Sequence, residues 1–371
     1  MSIATATQTQ RDANLLERAG KGDDQAFEEL IQPLRGELLA HCYRMLGSTH
    51  DAEDALQDAM LRAWRRLGTF DARGSLRGWL YKIATNTCLD VIGKRKRVLP
   101  QNKEPKTDPH EEGPGRPLAD TVWLEPLPDE TLEIEDGYAS PDARYEQRES
   151  VELAFVAAIQ LLPPRQRATL ILREVLGYSA RETAESLDST TASVNSALQR
   201  ARKTIDDHMP DESQQATLRT IGDDRMREIV EAYMDAMERG DVNQVAEMLT
   251  EDAAWSMPPM STWFGGSDLP EFMRVGPLSG EWKWRNVAAR ANGQPAFAAY
   301  CWNESEGTHL AFALNVLTLE GDRVREITSF LNRSIESDDP ESYLYFPNEP
   351  VDPRRLESFF TRFGLPDRLD D

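Results

Sequence analysis

The sequence has little of the chemistry that metal sites, disulfides or membrane spans require. Its 371 residues include three cysteines and five histidines. Cys42, Cys88 and Cys301 lie far apart without a CxxC partner, which argues against a zinc site and a disulfide framework and fits a reducing compartment. No HExxH or Cys/His cluster occurs, so neither a metal nor a cofactor is expected. No run of about 18 apolar residues is present, so no membrane span is expected. The opening MSIATATQTQRDAN has no apolar stretch behind basic residues; a secretory signal is not expected, and a cytoplasmic location is. Positive charge is scarce too, with 42 Lys and Arg against 64 Asp and Glu and a net charge of −22. Like charge repels phosphate, which excludes indiscriminate nucleic-acid binding and leaves room only for local basic patches.

What is present divides into segments of different character. A chain this long predicts two or three domains. Residues 12–98 read as helices, with Asp23 or Asp24 as an N-cap, a break at Pro33, and a further helix opening at STHDAED. Residues 99–142 are rich in Pro, Gly and acid and read as a linker, interrupted by the apolar island VWLEPLP. Residues 143–209 are helical again: one helix before Pro163-Pro164 and three short ones after, broken at Gly177-Tyr178-Ser179 and Asp188-Ser189-Thr190 in the manner of a helix-turn-helix. Residues 222–335 begin with an amphipathic helix and continue in strand-like runs, with LEGDRV as a hairpin signal, so an α+β domain with antiparallel strands is expected. Residues 336–371 form a tail.

Two stretches carry nucleic-acid chemistry. In STTASVNSALQRARKTI the apolar positions Val194, Leu198, Ala201 and Ile205 recur at helical spacing, while Asn195, Ser196, Gln199, Arg200 and Arg202 fall on the other side. Asn and Gln suit adenine, and Arg suits guanine or phosphate. A solvated face of an ordinary helical bundle has the same pattern, and periodicity alone leaves both readings open. In GTFDARGSLRGWLYKIATNTCLDVIGKRKR, Trp79, Tyr81 and Asn86 sit beside Lys82 and the cluster Lys94 to Arg97. Aromatics interleaved with cations suit a single strand, the rings stacking on bases and the charges following the backbone; Trp79 and Ile83 as plain core is the alternative.

With these residues in view, both helical blocks resemble a sigma factor of the extracytoplasmic-function type. DAEDALQDAMLRAW resembles the family's polymerase-binding helix, SLRGWLYKIATNTCLDVIGKRKR its −10 recognition helix, and LPPRQRATLILREVLGYSARETAESLDSTTASVNSALQRAR its −35-reading domain. The resemblance covers about half the chain. It implies that Asp51, Glu53, Asp54, Gln57, Asp58, Arg62 and Trp64 dock on core RNA polymerase, at its beta and beta-prime subunits. It implies a −10 surface of Arg73, Ser75, Trp79, Lys82, Asn86, Arg95, Lys96 and Arg97, with the loop from Asp71 to Ser75 capturing a flipped base. It also implies a −35 surface of Ser193, Asn195, Ser196, Gln199, Arg200 and Arg202, and a linker that threads the polymerase channel. Where Asn195 stands the family often has a basic residue, so the −35 sequence does not carry over from relatives.

The last third resembles the SnoaL-like cone shared with nuclear transport factor 2 and ketosteroid isomerase, on AYMDAMERGDVNQVAEMLTEDAAWSMPP, ANGQPAFAAY and EITSFLN…FTRFGLP. The expected fold is therefore multidomain: two all-α sigma domains, a region-2 helical bundle and a region-4 helix-turn-helix, followed by an α+β SnoaL-like (NTF2-like) cone. The resemblance implies regulation in cis, with an intramolecular contact to the sigma domains and Trp123, Leu124, Glu125 and Pro126 as the linker's share in it. Trp255, Met257, Trp263, Tyr300 and Trp302 are candidate linings of a pocket for a small ligand, although an aromatic lining is more often plain core. Asp252, Glu271 and His309 are available as acids or bases without forming a pair, so no enzyme is expected. The rival readings are a one-component helix-turn-helix regulator with a ligand-sensing domain, and a SnoaL-like isomerase or hydrolase fused to DNA-binding domains. The polymerase-type helix counts against the first of these.

Overall fold

The computed structural model describes residues 3–71, 74–94, 108, 124–132, 148–210, 212–258, 263–332 and 359–370, with side chains from Arg11 onward. The described residues fall into two compact units. Residues 3–94, 131–132 and 156–209 belong to the first, and the rest, apart from the boundary residues, to the second.

In the first unit, helix α1 (Ile3–Gly20) precedes α2 (Asp24–Ile31), whose first turn is capped by Asp23, Oδ1 accepting from the Ala26 N–H at 3.0 Å. Pro33 cannot continue a helix, and the chain passes through a 3₁₀ turn (Gln32–Leu34) before α3 (Arg35–Leu46). Gly47, at φ 74°, ends α3 in the left-handed region. Ser48 then caps α4 (Thr49–Arg66), and α5 (Leu76–Lys94) completes the bundle. The bundle core is built from Leu38, Met45, Leu56, Leu80 and Ala84. Arg77 of α5 braces it against α3 with a two-pronged bond to Glu37 at 2.7–3.0 Å.

Further along lie α6 (Leu153–Gln160), α7 (Pro164–Leu170) running into a π turn (Ile171–Val175), α8 (Ala180–Ser186) and α9 (Thr191–Asp206). Ser179 and Glu182 form a reciprocal capping box on α8, and Thr190 caps α9. Three short helices were expected after the two prolines, but α9 has 16 residues. Its apolar stripe of Val194, Leu198 and Ala201 is not interrupted, so nothing ends the helix early.

The second unit opens with α10 (Gln214–Ile221), α11 (Asp223–Glu238) and α12 (Val242–Glu247). Its sheet comprises β1 (Leu249–Ser256), β2 (Trp263–Gly265), β3 (Trp284–Ala291), β4 (Gln294–Asn303), β5 (Thr308–Glu320), β6 (Arg323–Leu331) and β7 (Arg368–Leu369), with α13 (Leu269–Val275) after β2. The strand order is β2-β1-β6-β5-β4-β3, with β7 paired to β5. The expectation of antiparallel strands holds for β3 to β6, which tight turns connect. It fails for β1, which pairs with β6 in parallel. No turn joins those two strands, so local hairpin signals carry no information on their direction.

Each face of this sheet is apolar. One packs Trp255, Phe297, Leu317 and Ile327 with Tyr233 of α11. The other, with Ala298, Tyr300, Leu314 and Phe330, is covered by Leu124, Leu153, Phe360 and Leu365, from three separate stretches of chain. The expected fold of two all-α parts and a carboxy-terminal α+β cone is the one observed.

Candidate functional site

Helix α9 turns Val194, Ala197, Leu198 and Ala201 into the core, which leaves Ser193, Asn195, Ser196, Gln199, Arg200 and Arg202 exposed together. The first five are open to solvent over a little more than two turns of helix. Arg202 is held differently: its guanidinium donates to Glu174 at 2.8 Å, back towards the π turn. A groove of about 590 Å³ runs beside this face, lined by Arg173, Asn195, Gln199, Arg202 and Lys203, with Asp206 and Asp207 at its end. Arg173 and Lys203 were missed in the sequence reading. Lys203 stands one residue beyond the quoted polar set, and Arg173 lies in the π turn, outside the helix that the periodicity picks out.

On α5, Ser75 is exposed and its Oγ accepts from the Gly78 N–H at 3.2 Å, closing the first turn. Trp79 is half-buried, its ring 5.3 Å from that of Phe70. Asn86 is half-buried, and Tyr81 is fully buried. Lys82 is tied down at the surface: its Nζ donates to the Glu185 carbonyl at 2.7 Å and to Asp188 Oδ1 at 3.0 Å. Arg73, Arg95, Lys96 and Arg97 lie outside the described residues.

Helix α4 presents Asp54, Gln57 and Asp58 on one exposed face, with Leu61 48% exposed in the same row. Glu53, Arg62 and Trp64 are half-buried, and Arg62 is fixed between Asp58 (2.8 Å) and Asp90 (2.7 Å). Asp51 is buried at the helix start, where Ser48 Oγ accepts its N–H, and Trp64 packs on Phe27. Of the seven proposed docking residues, three thus form an open face and four are set back from it.

The linker island has a definite place in the second unit. Leu124 and Glu125 are half-buried, Pro126 is buried and Leu127 is fully buried; Trp123 lies outside the described residues. Here the chain is gripped by the β3–β4 turn, where Asn292 (φ 57°) and Gly293 (φ 71°) both adopt the left-handed backbone that an Asn-Gly hairpin turn requires. Asn292 Oδ1 accepts the Leu127 N–H at 2.9 Å, the Asn292 N–H donates to the Leu127 carbonyl at 2.8 Å, and Asn292 Nδ2 donates to the Val151 carbonyl at 2.8 Å. Asp129 accepts from the Gly293 N–H and from Arg290 Nε. Gln294 Oε1 accepts the Leu153 N–H at 2.9 Å, and Gln215 Nε2 donates to the Gly293 carbonyl at 2.8 Å.

Nearby, the Glu152 carboxylate accepts the N–H groups of Gln214 and Gln215 at 3.2 and 2.6 Å. Burial pushes its pKa up to about 7, against the downward pull of those two N–H donors. One two-residue turn therefore holds chain on both sides of residues 133–147. The sequence reading placed the contact at 123–126; the strongest grip falls on Leu127 to Asp129. The NG dipeptide was the available signal, quoted as part of a resemblance but not as a docking site.

The five candidate pocket residues do not share a cavity. Trp255 and Met257 belong to the core beneath α11, where Trp255 Nε1 donates to Ser329 Oγ at 2.6 Å and Ser329 donates onward to Asn315. Trp263 is half-buried against Gly265. Tyr300 points to the opposite face, packing on Phe360 and donating to the Pro366 carbonyl at 2.9 Å, and Trp302 follows it there, edge-on to His309. Strand alternation separates them: Tyr300 and Trp302 share a parity on β4 that faces away from Trp255. Asp252 is exposed, Glu271 pairs with Arg274, and His309 lies with Trp302, so the three candidate acids and bases are also apart.

Residues 30–98 match the family model described as Sigma-70 region 2, and residues 152–205 match Sigma-70, region 4. The ECF RNA polymerase sigma factor SigG of Mycobacterium tuberculosis is 39% identical over 355 residues, covering 92% of this chain and 85% of that protein. The ECF RNA polymerase sigma factor SigW of Bacillus subtilis is 28% identical over 192 residues, 51% of this chain and 92% of its own. The crystal structure of the Mycobacterium tuberculosis extracytoplasmic function sigma factor SigJ shares the fold, with a TM-score of 0.51 at 22% identity over 81% of this chain and 95% of that one. The likeness to SigG runs through both helical blocks and on into the sheet domain, and the chain belongs to the extracytoplasmic-function sigma factors, the alternative sigma subunits with which RNA polymerase initiates transcription.

Proposed function

We propose that the exposed face of α9 reads the −35 element, that α5 and the chain before it hold the −10 element, and that α4 docks on the beta and beta-prime subunits of core polymerase. Ser193, Asn195, Ser196, Gln199 and Arg200 reach bases or phosphates, and Arg202, tied to Glu174, serves as a backbone contact. Ser75, Trp79 and Asn86 act on the melted strand together with Arg73, Arg95, Lys96 and Arg97. Asp54, Gln57 and Asp58 lead the polymerase contact, with Asp51, Glu53, Arg62 and Trp64 shaping it from behind. The protein works in the cytoplasm and contributes binding rather than catalysis.

The carboxy-terminal domain regulates the sigma domains in cis. The observation that carries this reading is the grip of the Asn292-Gly293 turn on Leu127 to Asp129 and on Val151. A sigma linker held this way is not free to follow a path through polymerase. Leu124, Glu125 and Pro126, with Trp123 before them, extend the held segment. If a small ligand takes part, it enters on the Trp255–Met257 side of the sheet, since Tyr300 and Trp302 are committed to the other face.

The test is run-off transcription with core polymerase, comparing the full chain with a version ending at Met209. Selective initiation by both, at different levels, is the expected result, and the direction of the difference gives the sign of the regulation. Equal initiation by both would remove the cis-regulatory reading. DNA binding without polymerase and no initiation would remove the promoter-surface reading.

A further inference from the structure

The turn between β3 and β4 is an Asn-Gly pair, and that pair carries covalent chemistry of its own. Asparagine followed by glycine is the dipeptide most prone to lose ammonia, because no side chain shields the glycine nitrogen from the neighbouring amide carbon. Here the fold demands both residues. Asn292 and Gly293 stand at φ 57° and 71°, the backbone of a two-residue hairpin turn. A Cβ at Gly293 would lie 3.0 Å from Arg148 Cβ and 3.2 Å from Gln215 Nε2, so a side chain there is crowded as well as strained. Asn292 must offer an acceptor to the Leu127 N–H and a donor to the Val151 carbonyl at once, and an amide side chain supplies both. A turn built to these demands carries the labile dipeptide.

We propose that Asn292 is a modification site: it deamidates while the linker is off the turn, and the product does not take the linker back. The Gly293 nitrogen gives its proton to solvent base and attacks Asn292 Cγ. The Cγ–Nδ2 bond breaks, Nδ2 takes up a proton from water and leaves as ammonia, and a five-membered imide remains. Water then opens the imide at one carbonyl or the other, leaving aspartate or isoaspartate. The balance is one water in and one ammonia out, with no oxidant or cofactor.

The closed turn opposes each part of this reaction. Asn292 is 0% exposed, so base and water do not reach it. Ring closure needs Cγ to swing onto the Gly293 nitrogen, and the amide is tied on two sides, through Oδ1 to Leu127 at 2.9 Å and through Nδ2 to Val151 at 2.8 Å. The Gly293 N–H is itself donated to Asp129 Oδ1 at 2.7 Å, and a carboxylate at that distance disfavours a nitrogen anion. Leu127, Asp129 and Val151 supply all of these restraints, so withdrawal of that chain removes them together.

The products cannot restore the grip. Aspartate has no donor for the Val151 carbonyl, and it sets a buried charge beside the N–H that already holds the Asp129 carboxylate. Isoaspartate lengthens the main chain by one carbon next to the Ala291–Gln294 pair that closes the hairpin. The linker is thus held reversibly before the reaction and not after it. That this release alters transcription rests on the cis-regulatory reading above; that Asn292 is modified does not.

The test follows the full chain through prolonged incubation at neutral pH, by mass spectrometry of the peptide spanning Ala289 to Pro295 and by enzymatic methylation of isoaspartate. A synthetic peptide of those residues gives the unrestrained rate. The parent should react at least about tenfold more slowly than the peptide, since it reacts only through its open fraction. Leu127→Glu, which puts a charge where a buried leucine sits, should approach the peptide rate, and Asp129→Asn should fall between. Asn292→Asp, standing for one product, should exchange the Leu127 amide at least about tenfold faster than the parent. Equal rates in parent and peptide, parent-like rates in both linker variants, or unchanged Leu127 exchange in Asn292→Asp would each overturn the proposal. Modification and release as expected, with run-off initiation by Asn292→Asp equal to that of the parent, would uphold the site and overturn the cis-regulatory reading.

Discussion

His41 shows how one side chain sets the conditions under which the region-2 bundle is stable. It is fully buried, with Nε2 2.8 Å from Thr85 Oγ1. Thr85 Oγ1 itself donates to the Tyr81 carbonyl, so His41 Nε2 is the donor in that pair and Nδ1 carries the lone pair, with no partner among the described residues. Burial, with Arg44 adding like charge, pushes the His41 pKa down to about 3. The folded state therefore keeps the ring neutral while an unfolded chain takes up a proton below about 6.5. This stability is intact above pH 6.5 and is lost as pH falls towards 3, at about 1.4 kcal/mol per pH unit. The calorimetric transition of the bundle should fall steeply between pH 6.5 and 5, and His41→Gln should flatten that dependence; equal slopes would show that other groups cause it. On α9, Arg200→Ala should weaken −35 use by about 1–3 kcal/mol if Arg200 reads a base, measured as promoter strength in run-off assays. A loss that is the same on every −35 sequence would assign it to phosphate.

Among the elements, α4 and the β3–β4 turn carry opposite lessons about legibility. The caps, the break at Pro33 and both bends of the helix-turn-helix were readable because each rests on local chemistry within about four residues. The exposed face of α4 was readable in outline, but the periodicity could not say that Asp51 is buried while Leu61 is exposed, since that depends on which neighbours cover the helix. Asp54→Ala should therefore reduce binding to core polymerase, read by co-sedimentation, before it affects −35 duplex binding; normal core binding would move the interface elsewhere. The grip of the turn was not readable, because Leu127 and Asn292 are 165 residues apart and no local pattern joins them. Asn292→Gly keeps the left-handed backbone and removes the side-chain bonds to Leu127 and Val151. Leaving buried groups unpaired costs about 1–3 kcal/mol, so exchange of the Leu127 amide should accelerate roughly 5- to 150-fold. No acceleration would mean that Leu127 is held by its apolar contacts alone.

For the whole molecule, the net charge of −22 and the proposed DNA-reading role of α9 are compatible because charge is unevenly distributed. Arg173, Arg202 and Lys203 gather at one groove beside α9, and the acidic remainder repels DNA that polymerase has not delivered. The five pocket candidates are divided for a reason of the same scale. Residue types fit a lining, but the parity of β4 places Tyr300 and Trp302 on the other side of the sheet. The grip at Asn292 also has a consequence in time. Chains are made from the amino terminus at about 5–20 residues per second, so the 165 residues from Leu127 to Asn292 take roughly 10–30 s to emerge after the linker. During that interval both helical blocks leave the ribosome ahead of the turn that will hold the linker. Each newly made molecule is thus unclasped when young, and a polymerase that meets it then encounters a linker that the turn does not yet hold.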